Sequence, residues 1–275
     1  MNAARGIASV ALAWGAWLMG HAVLTWRGDE YFRQVLVRDG WSGIAVVGLL
    51  AVIVGCLLFA AAAASLALSW WGLLSVGVVQ TLIALLSWFL WGSALSEFFI
   101  PQFLVTALYL QHLFLGVHLA LGVIAVALAL AVPLRPRLTI GRDAARLLSL
   151  VAVVPALLAI VPLVEGGRRN TRALQVFASP ETLALLLLVV AAALLAIAAL
   201  AAVLSGTGPA VAGALLSLIG LVGLLTPSSI IEVSSSGFAY SLFHLAAAGG
   251  LLAIGVVLGA GALASSIAAR FAPKA

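Results

Sequence analysis

The segment 101-PQFLVTALYLQHLFLGVHLALGVIAVALALAVPLRPRLTIGRDAAR-146 decides how the whole chain is interpreted. Its first part, from Pro101 to Val132, carries no formal charge, and the part after Pro133 carries four arginines. About 20 apolar residues are enough to span the hydrocarbon core of a bilayer, and arginine collects in loops on the cytoplasmic side. The segment therefore predicts a membrane-spanning helix that ends in a basic cytoplasmic loop.

The composition extends this prediction to the rest of the chain. Of 275 residues, 65% are apolar and 8% are charged, with a mean hydropathy of +1.29, whereas a soluble domain carries about 25% charged residues. These values predict an all-α, polytopic integral membrane protein without a separate soluble domain. The formal charge of +5 comes mostly from arginines in short loops, so the expected partner is the lipid bilayer and not nucleic acid.

Eight apolar runs predict about eight transmembrane helices. The turn near Trp70 is uncharged, so a count of seven stays open. The polar stretch 28–40 predicts an interfacial helix flanked by Trp26 and Trp41, and the polar stretch 165–180 predicts a loop. Pro155 and Pro162 predict a kink in the fifth span. The runs cover 7–26, 43–65, 71–91, 101–132, 147–164, 179–204, 209–227 and 237–269.

Orientation follows from the basic residues. Placing the loop that holds Arg135 and the tail that holds Arg270 inside predicts both termini in the cytoplasm of a bacterial-type cell, with the protein in its inner membrane. The bias of Arg and Lys toward that side is only seven to six.

Two halves of the sequence can be aligned with each other. Gly28 falls on Gly167 at an offset of 139, and the motif Leu110–Leu113 falls on Leu242–Leu245 at an offset of 132, with His112 over His244. The alignment predicts two four-helix halves, 1–132 and 133–275, in a parallel internal repeat.

Histidines and tyrosines near the outer ends of the spans are the candidate site residues. Polar side chains inside a membrane mark functional sites by default. Neutral imidazoles could ligate haem b, and His or Tyr could bind a quinone or a lipid headgroup. The alternative is that each histidine only forms a hydrogen bond between helices. Cys56 is the single cysteine, so neither a disulfide nor a cysteine-based metal site is expected. The candidates are His21, His112, His244, Tyr109 and Tyr240.

The stretch Phe114-Leu-Gly-Val-His118-Leu-Ala-Leu-Gly122 resembles the Phe-His-Gly-Leu-His-Val-x-x-Gly helix of cytochrome oxidase subunit III, with Leu115 in place of that family's first histidine. The resemblance covers nine residues and implies a respiratory-type membrane subunit. The leading functional hypothesis is a scaffold subunit of a multi-subunit electron-transport complex, not catalytic on its own, with an outer-leaflet quinone or lipid pocket. The alternative is a transporter or permease for a small or lipidic solute.

Overall fold

The computed structural model describes residues 3–28, 31, 43–89, 107–135, 140–175, 181–226 and 237–270. These ranges are helical and contain no strand, which confirms the all-α prediction. The α-helices within them are α1 (Ala3–Trp26), α2 (Gly43–Ala64), α3 (Trp70–Phe89), α4 (Ala107–Phe114), α5 (Val117–Leu134), α6 (Arg142–Ser149), α7 (Val153–Leu158), α8 (Ile160–Gln175), α9 (Thr182–Leu200), α10 (Thr207–Leu225), α11 (Gly237–Ala247) and α12 (Gly250–Arg270).

Eight helical stretches within the described ranges are long and apolar enough to cross a membrane, as the sequence predicts. The turn near Trp70 is present, because α2 ends in the 3-10 turn Ser65–Ala67 and α3 begins at Trp70. Division at this point separates the second and third spans. Apart from residues 28 and 31, the predicted interfacial helix lies outside the described residues.

The longest of these stretches, Arg142–Ala173, combines α6, α7 and α8. Its 32 residues would measure about 48 Å at 1.5 Å per residue, more than the ~30 Å hydrocarbon core. The prediction of a loop from residue 165 is wrong, because α8 continues to Gln175. Glu165 accepts hydrogen bonds from Arg168 at 2.6 Å and from Arg169 at 2.8 Å, and such i,i+3 and i,i+4 pairs stabilise a helix.

Glycines break two other spans that the sequence predicts as single helices. Gly116 separates α4 from α5 with φ 77°, and Gly249 separates α11 from α12 with φ 76°. Glycine adopts this left-handed conformation without the steric cost of a Cβ. At both breaks the glycine N–H donates to the carbonyl three residues earlier, at 3.1 and 2.8 Å. Each glycine carbonyl also accepts from the N–H four residues later, at 3.0 and 2.9 Å.

The two helices that follow these breaks, α5 and α12, form the centre of the bundle and are its most buried spans. Helix α5 packs against α3, α9 and α12, and α12 packs against α10 and α2. Large apolar side chains on the other helices point outward, among them Leu57, Leu147, Leu186 and Leu218. An apolar outer surface is what a lipid environment requires.

Both ends of the described chain lie on one face of the bundle. The Ser9 hydroxyl, near the start of α1, donates to the carbonyls of Ser65 and Ser69 at 3.2 and 2.7 Å. Near the end of α12, the Ser265 carbonyl accepts from Arg135 at 3.5 Å, and α12 also contacts the Ser65–Ala67 turn. The first and last described helices therefore begin and end on the face that carries Arg135.

Candidate functional site

Three of the four histidines lie together inside the bundle, where α1, α4 and α5 meet. His21, His112 and His118 are 4%, 2% and 0% exposed, and together they are called the imidazole cluster below. The rings of His21 and His118 are stacked with centroids 4.9 Å apart, and His112 approaches His118 edge-on at 6.2 Å. The cluster joins two predicted site residues, His21 and His112, with a third histidine that was not predicted as one.

Gln80 and Trp17 extend the cluster into α3 and α1. The Gln80 Nε2 lies 2.5 Å from the His118 Nδ1, and the Trp17 Nε1 donates to the Gln80 Oε1 at 3.1 Å. Because an indole N–H can only donate, it identifies the amide oxygen, and the amide nitrogen must donate to His118. Neutral His118 therefore carries its proton on Nε2.

Aromatic rings enclose the cluster on the side of α1 and α2. The Phe59 ring lies 4.8 Å from His21, and the Trp17 ring lies 5.8 Å from it. Such an apolar wall disfavours charge unless a partner stabilises it. Two imidazolium ions 4.9 Å apart would repel each other by about 3 kcal/mol at an effective dielectric constant of about 20. The arrangement therefore favours at most one added proton.

Side chains satisfy backbone carbonyls at the two helix breaks. The His112 Nε2 lies 2.5 Å from the Ala248 carbonyl oxygen and so donates to it. The Asn170 Nδ2 donates to the Phe114 carbonyl at 3.1 Å, and the Trp88 Nε1 donates to the Leu113 carbonyl at 3.4 Å. Non-helical backbone at membrane depth is tolerated only where its polar groups are satisfied within the protein. His112 thus links the first broken helix to the second.

The other predicted site residues lie beside the cluster. His244 is partly buried on α11, with its Nδ1 3.4 Å from the Gln111 Nε2 of α4. The Tyr240 ring, one turn earlier, lies 4.3 Å from the His244 ring at an interplanar angle of 54°, and Tyr240 is 52% exposed. The side chain of Tyr109 lies outside the described residues. His244 and Tyr240 therefore form a second group, closer to the surface than the imidazole cluster.

The described residues offer no group of three His, Cys, Asp or Glu side chains that could hold a metal ion. Two axial haem ligands project toward one iron from opposite sides of the macrocycle, whereas His21 and His118 stack face to face. Haem b, a quinone or a lipid headgroup at His21, His112 or His244 stays a prediction.

Comparison with known proteins gives no relative from which a role could be transferred. The chain matches no protein-family model, no curated protein and no solved structure. The resemblance of residues 114–122 to the subunit III helix therefore stays a prediction. Within that stretch, Gly116 breaks the helix and His118 belongs to the imidazole cluster.

His118, Gln80 and Trp17 are not among the predicted cofactor-binding residues, although the transporter alternative has His118 and Gln80 as its polar groups near the membrane midplane. Each is a polar or hydrogen-bonding residue inside an apolar run, which is a usable signal because such groups need partners in a membrane. The sequence does not show which helices are neighbours, and the contact between α3 and α5 is what pairs Gln80 with His118.

Proposed function

We propose that the protein is a multi-pass membrane transport protein that carries a small polar solute past the imidazole cluster and Gln80. In this proposal, residues 1–132 and 133–275 are two four-helix halves related by a rotation about the membrane normal. The protein lies in a bacterial-type inner membrane with both termini in the cytoplasm. The predicted alternative of a transporter thereby becomes the leading one.

Equivalent close contacts between helices support the two halves. A Cβ on Gly77 of α3 would lie 2.8 Å from the Gly122 carbonyl oxygen of α5. A Cβ on Gly213 of α10 would lie 2.6 Å from the Gly255 carbonyl oxygen of α12. The offsets are 136 (213 − 77) and 133 (255 − 122). The contact between α3 and α5 thus has a counterpart between α10 and α12.

The helix breaks have the same offset, since Gly116 and Gly249 are also 133 residues apart. Their hydrogen-bond patterns match as well. At this offset His244 corresponds to Gln111, whereas the alignment of the two sequence halves places His244 over the next residue, His112. Broken helices at corresponding positions of two halves are the usual location of a transporter's binding site.

The observation that carries the proposal is a difference between the halves. Where the first half has the cluster, the second half has an apolar crevice too narrow for a water molecule. The helices of the second half therefore pack at the corresponding position without polar side chains, so the fold alone does not require the histidines. Buried polar residues that a membrane fold does not need are best explained by function. Four residues of the first half have apolar counterparts that line this crevice. Trp17 corresponds to Ala156 and His21 to Ile160, both at an offset of 139. Gln80 corresponds to Leu216 at an offset of 136, and His118 to Leu251 at an offset of 133.

A subunit of an electron-transport complex is the second candidate, and the resemblance of residues 114–122 supports it. One small-residue surface on α12 that could bind a partner subunit is already covered, because Gly255 and Gly259 pack against α10. Gly213 and Gly255 make that contact.

Purification from native membranes separates the two candidates. The transport proposal predicts a monomer or homodimer without stoichiometric partners and without a Soret band in its absorption spectrum. The complex proposal predicts defined co-purifying subunits, and a chromophore lost in His112→Ala would place a cofactor at the cluster. Stoichiometric partners together with such a chromophore would overturn the transport proposal.

A further inference from the structure

The long helical stretch Arg142–Ala173 carries charged residues toward both of its ends. Arg146 near its start and Glu165 near its end are 19 residues apart (165 − 146), which is about 28 Å at 1.5 Å per residue. That length nearly equals the ~30 Å hydrocarbon core of a bilayer. When this stretch spans a bilayer, the residues that follow Glu165 therefore lie at the level of the lipid headgroups.

Two arginines at this end of α8 direct their guanidinium groups at the start of α11. A Cβ on Gly237, the first residue of α11, would lie 3.8 Å from the Arg168 Nη1 and 3.9 Å from the Arg172 Nη2. Both nitrogens therefore lie within 4 Å of a single point. The N-terminus of this 11-residue helix adds to the effect of the two cations, because the helix dipole favours negative charge there. An anion at this point would contact both guanidinium groups.

Glu165 fixes one of these guanidinium groups and leaves part of it available. The Arg168 Nε and Nη2 donate to the two oxygens of the Glu165 carboxylate at 2.8 and 2.6 Å. Such a bidentate pair holds the guanidinium plane in a defined orientation. The Arg168 Nη1, which faces Gly237, makes no hydrogen bond to the part of the chain that the structure describes, so its two N–H groups can donate to a ligand.

The charges around this point do not cancel. Arg169 donates to Glu165 at 2.8 Å and to Glu181 at 3.3 Å. Among the described residues, no acidic side chain pairs with Arg172, which is exposed. Three arginines against two glutamates leave one positive charge uncompensated, and a singly charged anion would neutralise it.

Exposed aromatic side chains beside the same point indicate the kind of anion. Phe238 and Tyr240 of α11 follow Gly237 closely and are 38% and 52% exposed. Tyrosine and other aromatic rings of membrane proteins collect at the interface, where they contact the headgroup region. A free inorganic anion gains nothing from such rings, whereas a lipid can bury its glycerol backbone and the upper part of its acyl chains against them.

We infer that Arg168, Arg172 and the start of α11 bind the phosphodiester of an anionic phospholipid of the phosphatidylglycerol type. Arginine suits this ligand, because its planar fork of N–H donors matches the oxygens of a phosphate. The single negative charge of the lipid matches the uncompensated positive charge, whereas a zwitterionic lipid brings a cation together with its phosphate. The site is separate from the imidazole cluster, so the inference does not depend on the proposed transport.

Isothermal titration of the purified protein in dodecyl maltoside with short-chain lipids tests the site. We expect dioctanoyl phosphatidylglycerol to bind at least tenfold more tightly than dioctanoyl phosphatidylcholine. Arg172→Gln and Arg168→Gln should each weaken the binding of phosphatidylglycerol about tenfold, because each removes a charge-assisted hydrogen bond to the phosphate. Arg172 is exposed, so its substitution should leave the fold intact.

Arg142→Gln is the matched control, because it removes an exposed arginine from the opposite end of the same helical stretch. Its affinity for phosphatidylglycerol should stay within twofold of wild type. Unchanged affinity in both Arg168→Gln and Arg172→Gln would overturn the inference, as would an equal loss in the control. Inorganic phosphate that binds as tightly as phosphatidylglycerol would also overturn it, because the site would then select a free anion and not a lipid.

Discussion

The pairing of Gln80 with His118 gives a quantitative prediction about stability. Replacing His118 with Leu, the residue at the corresponding position of the second half, removes the acceptor of the Gln80 amide at a site that is 7% exposed or less. Leaving a buried donor without its partner costs about 1–3 kcal/mol. We therefore expect His118→Leu to lower the free energy of unfolding by that amount.

The double substitution Gln80→Leu/His118→Leu should recover most of the loss, because replacing both partners by apolar groups of similar shape is nearly neutral. The Trp17 indole then loses its acceptor, so recovery stays incomplete. The two substitutions should be coupled by about 1–2 kcal/mol.

Steric trapping in bilayers, or reversible unfolding in mixed micelles, measures these free energies. Val78→Ala, at a 42% exposed position of α3, is the control and should change stability by less than about 0.5 kcal/mol. A His118→Leu variant as stable as wild type would refute the reasoning. So would a double variant whose loss equals the sum of the two single losses.

Two further predictions concern packing and pH. Gly213→Ala places a Cβ 2.5 Å from the backbone nitrogen of Gly259 and should destabilise the protein by about 1–3 kcal/mol. Gly15→Ala is the control and should not destabilise the protein, because a Cβ there has no atom within 4 Å. Thermal unfolding compares the two variants, and equal destabilisation would contradict the close contact between α10 and α12. Burial raises the pKa of the Tyr31 hydroxyl to about 12. Since the unfolded hydroxyl ionises near pH 10, stability should be complete below pH ~10 and fall by up to about 3 kcal/mol as the pH rises to ~12. In Tyr31→Phe this loss of stability between pH ~10 and ~12 should disappear, and a pH dependence equal to that of the wild type would contradict the role of Tyr31.

The sequence was sufficient to predict the helical class, the eight candidate spans and the turn near Trp70, because apolar runs of this length have few structures open to them other than a membrane-spanning helix. The sequence did not predict the helix breaks at Gly116 and Gly249, since a glycine inside an apolar run has the same hydropathy in a continuous helix as in a broken one. It also failed at α8, which continues into a polar stretch because Glu165 pairs with arginines on the same helix.

The candidate site was half predictable for a similar physical reason. His21 and His112 were identified as polar groups in apolar runs. His118 carries the same signal, but the sequence does not show that α1 and α5 bring the rings of His21 and His118 within 4.9 Å of each other. The cluster is a product of helix packing, which a single sequence does not specify.

If the protein carries a solute past the imidazole cluster, as we propose, the region around the helix breaks must open to each side of the membrane in turn, and Cys56 can report on this opening. This single cysteine is 1% exposed, and its Sγ is 3.9 Å from the carbonyl of Gly249 at the second break. A small, membrane-impermeant thiol reagent is applied to right-side-out and to inverted vesicles, with Cys56→Ala as the control for background labelling. Transport by alternating access predicts that Cys56 reacts in both preparations. A thiol that resists the reagent from both faces, yet reacts fully once the protein is denatured, would contradict the account and leave the cluster with a structural role.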